Sequence, residues 1–131
     1  MRALRTVVIT VVCVLFAYVA TEAADLYTPP VWVQTTDPIT IIACEIVNVS
    51  NQPRTAQWEL IDYLGNVVTT SSPIVIQPGA FGGAGSGGGA PGWFYCHFIV
   101  QGIDKNLWRA AIKLRSNGPP PGTDTFALPA E

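Results

Sequence analysis

Cys44 and Cys96 each sit inside an apolar run of strand-forming residues, and Trp58 lies between them in a third strand-like run. Successive side chains of a strand lie on opposite faces, so each cysteine has a definite side. Ile42, Cys44 and Ile46 share one parity, and Phe94, Cys96, Phe98 and Val100 share another. Both cysteines therefore face the apolar side of a strand. That arrangement constrains the chain to a small all-β domain pinned through its core.

The redox setting of the cysteines depends on the compartment. Arg2 and Arg5 precede an apolar stretch from Val7 to Ala20, and Thr21-Glu22-Ala23-Ala24 follows. A charged start, an apolar middle and a small-residue end form the pattern of a cleavable export signal, with cleavage after Ala23. The rival reading is a membrane anchor. The stretch is shorter than the roughly 20 apolar residues that a spanning helix needs. The expected organisation is a signal helix over 1–23, a β domain over 24–116 and a Pro/Gly-rich tail over 117–131, with the mature form secreted or periplasmic and not membrane-spanning. Cys13 leaves with the leader. Cys44 and Cys96 are then expected to form the single bridge available in an oxidising compartment. The alternatives are two buried free thiols or a metal pair. A metal pair is disfavoured because His97 is the sole histidine and no CxxC spacing completes a site.

Charge narrows the partner class. Beyond Ala23 the chain carries Arg54, Lys105, Arg109, Lys113 and Arg115 against Asp25, Asp37, Glu45, Glu59, Asp62, Asp104, Asp124 and Glu131. That net negative balance argues against a nucleic-acid partner bound through phosphate neutralisation.

The remaining pattern predicts short strands and no helix after the leader. Runs suited to strands cover 31–35, 39–49, 55–63, 67–70, 74–76, 93–100 and 107–115, with a hairpin loop at Leu64-Gly65-Asn66. The Cys44…Trp58…Cys96 order, with Gly92-Trp93-Phe94-Tyr95-Cys96 leading into the second cysteine, resembles the immunoglobulin-like sandwich. The resemblance implies an antiparallel β-sandwich of six to eight strands and an inter-sheet disulfide packed on Trp58. Two departures accompany it: Phe94 lacks the hydroxyl of a tyrosine corner, and position 90 is Ala where an acidic residue is usual. The chain also resembles small exported bacterial proteins, a likeness that implies no activity.

In such a sandwich the strands bearing Trp58, Cys96 and Arg109 are neighbours. Gln57, Glu59, Ile61, Tyr95, His97, Ile99, Arg109 and Lys113 are then expected on one outward face, with Trp93 at its edge. Aromatic, aliphatic and basic groups together suit a protein or glycan contact. The bland alternative is a solvated face on which Glu59 and the basic residues match charge.

Catalysis finds little material. His97 could be assembled into a Ser-His-Asp set only with Asp62 or Asp104, and no nucleophile-elbow pattern is present. Gly83-Ala84-Gly85-Ser86-Gly87-Gly88 matches GxGxxG, but a strand rather than a helix follows it, so no phosphate site and no cofactor are inferred. Residues 79–92 are instead expected to be a flexible glycine-rich connection. Asn48-Val49-Ser50 is a glycosylation sequon. Thr123 to Leu128 are expected to fray, with strand donation to a neighbouring subunit as the alternative. The expected protein is a non-enzymatic exported contact protein. A structural subunit of a surface assembly and a small secreted hydrolase are the alternatives.

Overall fold

The computed structural model describes residues 22–33, 40–87, 91–116 and 123–131. Residues 1–21 of the expected signal helix lie outside these residues, as do positions 34–39, 88–90 and 117–122.

The described chain is all-β, with ten strands in two antiparallel sheets facing each other in a sandwich-like arrangement. The strands are β1 (Ala23–Tyr27), β2 (Val31–Val33), β3 (Thr40–Asn48), β4 (Arg54–Asp62), β5 (Val67–Thr70), β6 (Ile74–Ile76), β7 (Phe81–Gly87), β8 (Gly92–Gln101), β9 (Trp108–Ser116) and β10 (Thr123–Pro129). The larger sheet runs β1-β8-β4-β5, with β2 also on β8 and β6 also on β4; the smaller runs β10-β9-β3-β7.

Alternation in the sequence becomes burial in the fold. Phe98, Val100 and Cys96 of β8, Leu60 and Trp58 of β4, and Ile46, Cys44 and Ile112 of β3 and β9 form one core between the sheets. Each fully buried aliphatic or aromatic side chain contributes about 1.5–3 kcal/mol of transfer free energy. Within this core Cys44 of β3 is bonded to Cys96 of β8, with the Cα atoms 5.8 Å apart. The bridge therefore ties the two sheets together, and Trp58 lies in the same buried cluster.

Both edges of the larger sheet are broken by proline, and a hydroxyl carries the pairing across each break. Before Pro29-Pro30, the Thr28 amide donates to the Cys96 carbonyl (3.0 Å) and the Cys96 amide donates to Thr28 Oγ1 (2.9 Å). Before Pro73, the Ser71 amide donates to the Trp58 carbonyl (2.9 Å) and the Trp58 amide donates to Ser71 Oγ (3.0 Å). Proline has no amide hydrogen to give the ladder, so these two side chains keep the backbones of Trp58 and Cys96 satisfied. At the β4–β5 hairpin, Gly65 takes φ 84°, as the turn requires. Hydrogen bonds from Asn66, first its side chain and then its backbone, hold the Asp62 carboxyl below its ordinary pKa; backbone bonds from Leu64 and Gly65 add to the effect.

Three strands depart from the sequence expectation. The glycine-rich stretch is not a loose connection over its described part: residues 81–87 pair with β3 from Val47↔Phe81 to Ile41↔Gly87. Glycine is required there because a Cβ on Gly83 would lie 2.6 Å from the Cys44 carbonyl oxygen and 3.1 Å from Glu45 Cα. Gly83→Val is accordingly expected to destabilise the fold by about 2 kcal/mol. A urea midpoint equal to that of the native chain would contradict this pairing.

The tail does not fray either. Residues 123–129 pair with β9, the Ala130 amide donates to the Ala110 carbonyl (2.7 Å), and Glu131 exchanges two backbone hydrogen bonds with Tyr27 (3.1 Å each). The C-terminal residue thereby joins the smaller sheet to β1 of the larger one. That β1 is itself the third unexpected strand. It begins at the expected cleavage position, and the Gly102 amide also donates to the Glu22 carbonyl at 2.7 Å.

Candidate functional site

β9 corrects the expected binding face. It pairs with β3 along its length, from Thr40↔Ser116 to Asn48↔Trp108, and belongs to the smaller sheet. In the immunoglobulin arrangement the corresponding strand accompanies those of Trp58 and Cys96. Arg109 and Lys113 therefore do not share a face with Glu59, Tyr95 and His97. Lys113 Nζ lies 2.8 Å from Glu45 Oε2, and Arg115 is paired with the other oxygen of Glu45. Arg109 is exposed and donates to the carbonyls of Asn106 (3.2 Å) and Trp108 (2.8 Å).

The remaining candidates do converge, on the outer face of the larger sheet. β8 turns Trp93, Tyr95, His97 and Ile99 outward, and each meets a neighbour in register: Trp32↔Trp93, Tyr27↔His97, Glu59↔His97, Ile61↔Tyr95 and Gln57↔Ile99. Alternate residues of a strand lie about 6.5–7 Å apart, so the outward residues of β8 form a strip about 20 Å long.

Its centre is His97. Nε2 lies 2.9 Å from Asp25 Oδ1 and Nδ1 lies 3.0 Å from Glu59 Oε2, so both ring nitrogens are engaged by carboxylates. The ring of Tyr27 stacks on the imidazole with centroids 4.5 Å apart and planes within 3°. Tyr95 stands 6.5 Å from Tyr27. Desolvation of Tyr27, and then the nearby Asp25 carboxylate, hold its hydroxyl above the ordinary tyrosine pKa, with Tyr95 and Glu59 adding to the effect.

At one end of the strip Trp32 and Trp93 meet edge to face at 5.5 Å, and each remains about half exposed (50% and 47%). At the other end lies an open depression of about 260 Å³ lined by Ala23, Thr55, Gln57, Pro73, Ile99 and Gln101.

No family model, curated protein or solved structure matches this chain. Among the described residues no group of three metal-ligating side chains is assembled, and no helix is long and apolar enough to cross a membrane.

Sequence reasoning missed Asp25, Tyr27 and the outward position of Trp32. The alternation Asp25-Leu26-Tyr27 was available as a signal, with only Leu26 buried. It adjoins the leader and ends at Pro29-Pro30, so it offered too short a run to stand out.

The sequon has a clear structural answer. Asn48 is fully buried. Its Nδ2 donates to the carbonyls of Gln52 (2.7 Å) and Ile76 (2.8 Å), while Oδ1 accepts from the amide (3.0 Å) and hydroxyl (2.7 Å) of Ser50. A glycan on Nδ2 would replace a donor in use inside the protein.

Proposed function

We propose that this is an exported, non-enzymatic contact protein, a disulfide-pinned sandwich with an immunoglobulin-like core that binds a protein or glycan through the outer face of its larger sheet. The observation that carries this reading is the aromatic strip. Tyr27, Trp32 and Trp93 are each about half exposed on one side of one sheet, with Tyr95 beside them. Exposed aromatics grouped in this way mark recognition surfaces, because a rigid ring supplies contact area at low entropic cost and carries a polar handle.

Two further features support a binding role over chemistry. Both nitrogens of His97 are directed at carboxylates, so neither addresses a hydroxyl or thiol nucleophile. The two cysteines after the leader are joined to each other, which removes the thiolates a cysteine mechanism would use. Export rests on the leader pattern and fits this disulfide.

The test is partner capture from the native envelope or culture fluid. Trp93→Ala combined with Tyr95→Ala is expected to lose most of the captured partner while keeping the native unfolding transition, because both rings stand on the outer face. Arg109→Ala, on the other sheet, is expected to capture normally. Equal capture by all three proteins would overturn the reading.

A further inference from the structure

The two sheets differ in charge as well as in size. Lys113, Arg115 and Arg109 all lie on β9 of the smaller sheet, and Lys105 lies in the turn before it. Among the strands of the larger sheet the only lysine or arginine is Arg54, at the start of β4. Its guanidinium is turned to Ser50 Oγ (3.0 Å) and the Gln101 carbonyl (3.5 Å). The outer face of that sheet therefore sets two carboxylates, Asp25 and Glu59, against a single histidine. Its charge is negative in either ionisation state of His97. Each carboxylate spends one oxygen on His97; Asp25 Oδ2 and Glu59 Oε1 have no hydrogen-bond partner among the described residues. Around them stand the rings of Tyr27, one face of which is stacked on His97, and of Tyr95, with Trp32 and Trp93 beyond.

Resting on the contact reading above, we infer that this strip takes an extended peptide segment bearing arginine or lysine, laid along β8. A guanidinium or ammonium over Tyr27 and Tyr95 gains cation–π attraction. From there it reaches the second oxygens of Asp25 and Glu59 as charge-assisted acceptors. The alternation of β8 presents recognition groups every second residue, matching the side-chain repeat of an extended segment lying over the face of the sheet. Trp32 and Trp93 provide an apolar platform for a neighbouring side chain. Charge of one sign on the face selects against acidic segments and steers cationic ones toward it.

The test titrates the full chain with three probes: an extended arginine-serine peptide, its glutamate-serine counterpart, and a neutral linear oligosaccharide. Binding is followed by calorimetry and by the fluorescence of Trp32 and Trp93. The arginine peptide is expected to bind, to weaken as salt is raised, and to bind about tenfold more weakly to Asp25→Asn/Glu59→Gln. The single variant Asp25→Asn, at a largely exposed position, keeps the test valid should the double variant lose its fold. It is expected to show part of the same loss. An equally tight glutamate peptide, or a variant that binds the arginine peptide as the native chain does, would overturn the cationic assignment. Binding of the oligosaccharide alone, abolished by Trp93→Ala, would overturn it while leaving the contact surface standing. Silence of all three probes would overturn the cationic assignment, whereas the capture experiment judges the contact reading separately.

Discussion

Replacing both cysteines of the core bridge, Cys44→Ala with Cys96→Ala, is expected to lower stability by about 4 kcal/mol. The bridge closes a loop of 52 residues between the sheets, and closing such a loop removes that much conformational freedom from the unfolded chain in the entropy model. Typical domains are stable by only 5–15 kcal/mol, so much of the margin goes with the bridge. The cost is compounded in the folded state, because Cys44 and Cys96 are buried and alanine leaves the space of two sulfur atoms unfilled. Chemical denaturation of the native and double-alanine proteins under identical conditions measures it. A midpoint within error of the native value would mean that the sheets are held without the bridge.

Asn48→Ala is expected to cost about 3 kcal/mol. The side chain satisfies the carbonyls of Gln52 and Ile76 and the amide of Ser50, binding the turn after β3 to the end of β6. Alanine leaves these groups without their partner in a place where Asn48 itself has no exposure, and unpaired buried groups keep their full desolvation penalty. Asn48→Asp should be at least as damaging, since a carboxylate oxygen would face two carbonyl oxygens in place of the two hydrogen bonds that Nδ2 donates to them. Ser50→Ala separates the hydrogen-bond role from the sequon, because it destroys the sequon while leaving Nδ2 and its two bonds in place. It is expected to be much milder than Asn48→Ala. The same burial implies an unmodified Asn48 in folded protein made in a eukaryotic secretory pathway, which intact mass measures directly.

The strands legible in the sequence were those whose side chains alternate over a long run. β3, β4, β8 and β9 each bury most of one parity and leave most of the other partly or fully exposed, with Ala43 and Ile61 buried on the outward side, and the inward set Phe94, Cys96, Phe98 and Val100 follows from that pattern. β7 was not legible because glycine gives no parity to read. Its place in the sheet comes from the close approach of Gly83 to the Cys44 carbonyl, a tertiary requirement. β10 follows a proline-rich stretch and ends in Leu128-Pro129-Ala130, local signals of a chain end. Pairing with β9 and the backbone exchange between Glu131 and Tyr27 override them.

The site was half legible for a related reason. Glu59, Tyr95 and His97 lie on β4 and β8, which pair directly in the larger sheet, so they do meet on one face. Analogy of strand order places Arg109 and Lys113 on that face, but order along the chain does not determine which sheet β9 joins. Its partner is β3, whose Glu45 meets Lys113 and Arg115. Asp25 and Tyr27 complete the cluster from β1, too short a strand to identify beside the leader.

The central claim is that partner contact belongs to one face of this sandwich, and a photo-crosslinking amino acid placed at position 95 or at position 113 tests it most directly. These positions stand on the outer faces of opposite sheets. With the native envelope or culture fluid as the source of partner, a crosslinked adduct of defined mass is expected from position 95 and none from position 113. An adduct from position 113 alone, or the same adduct from both positions, would contradict the account.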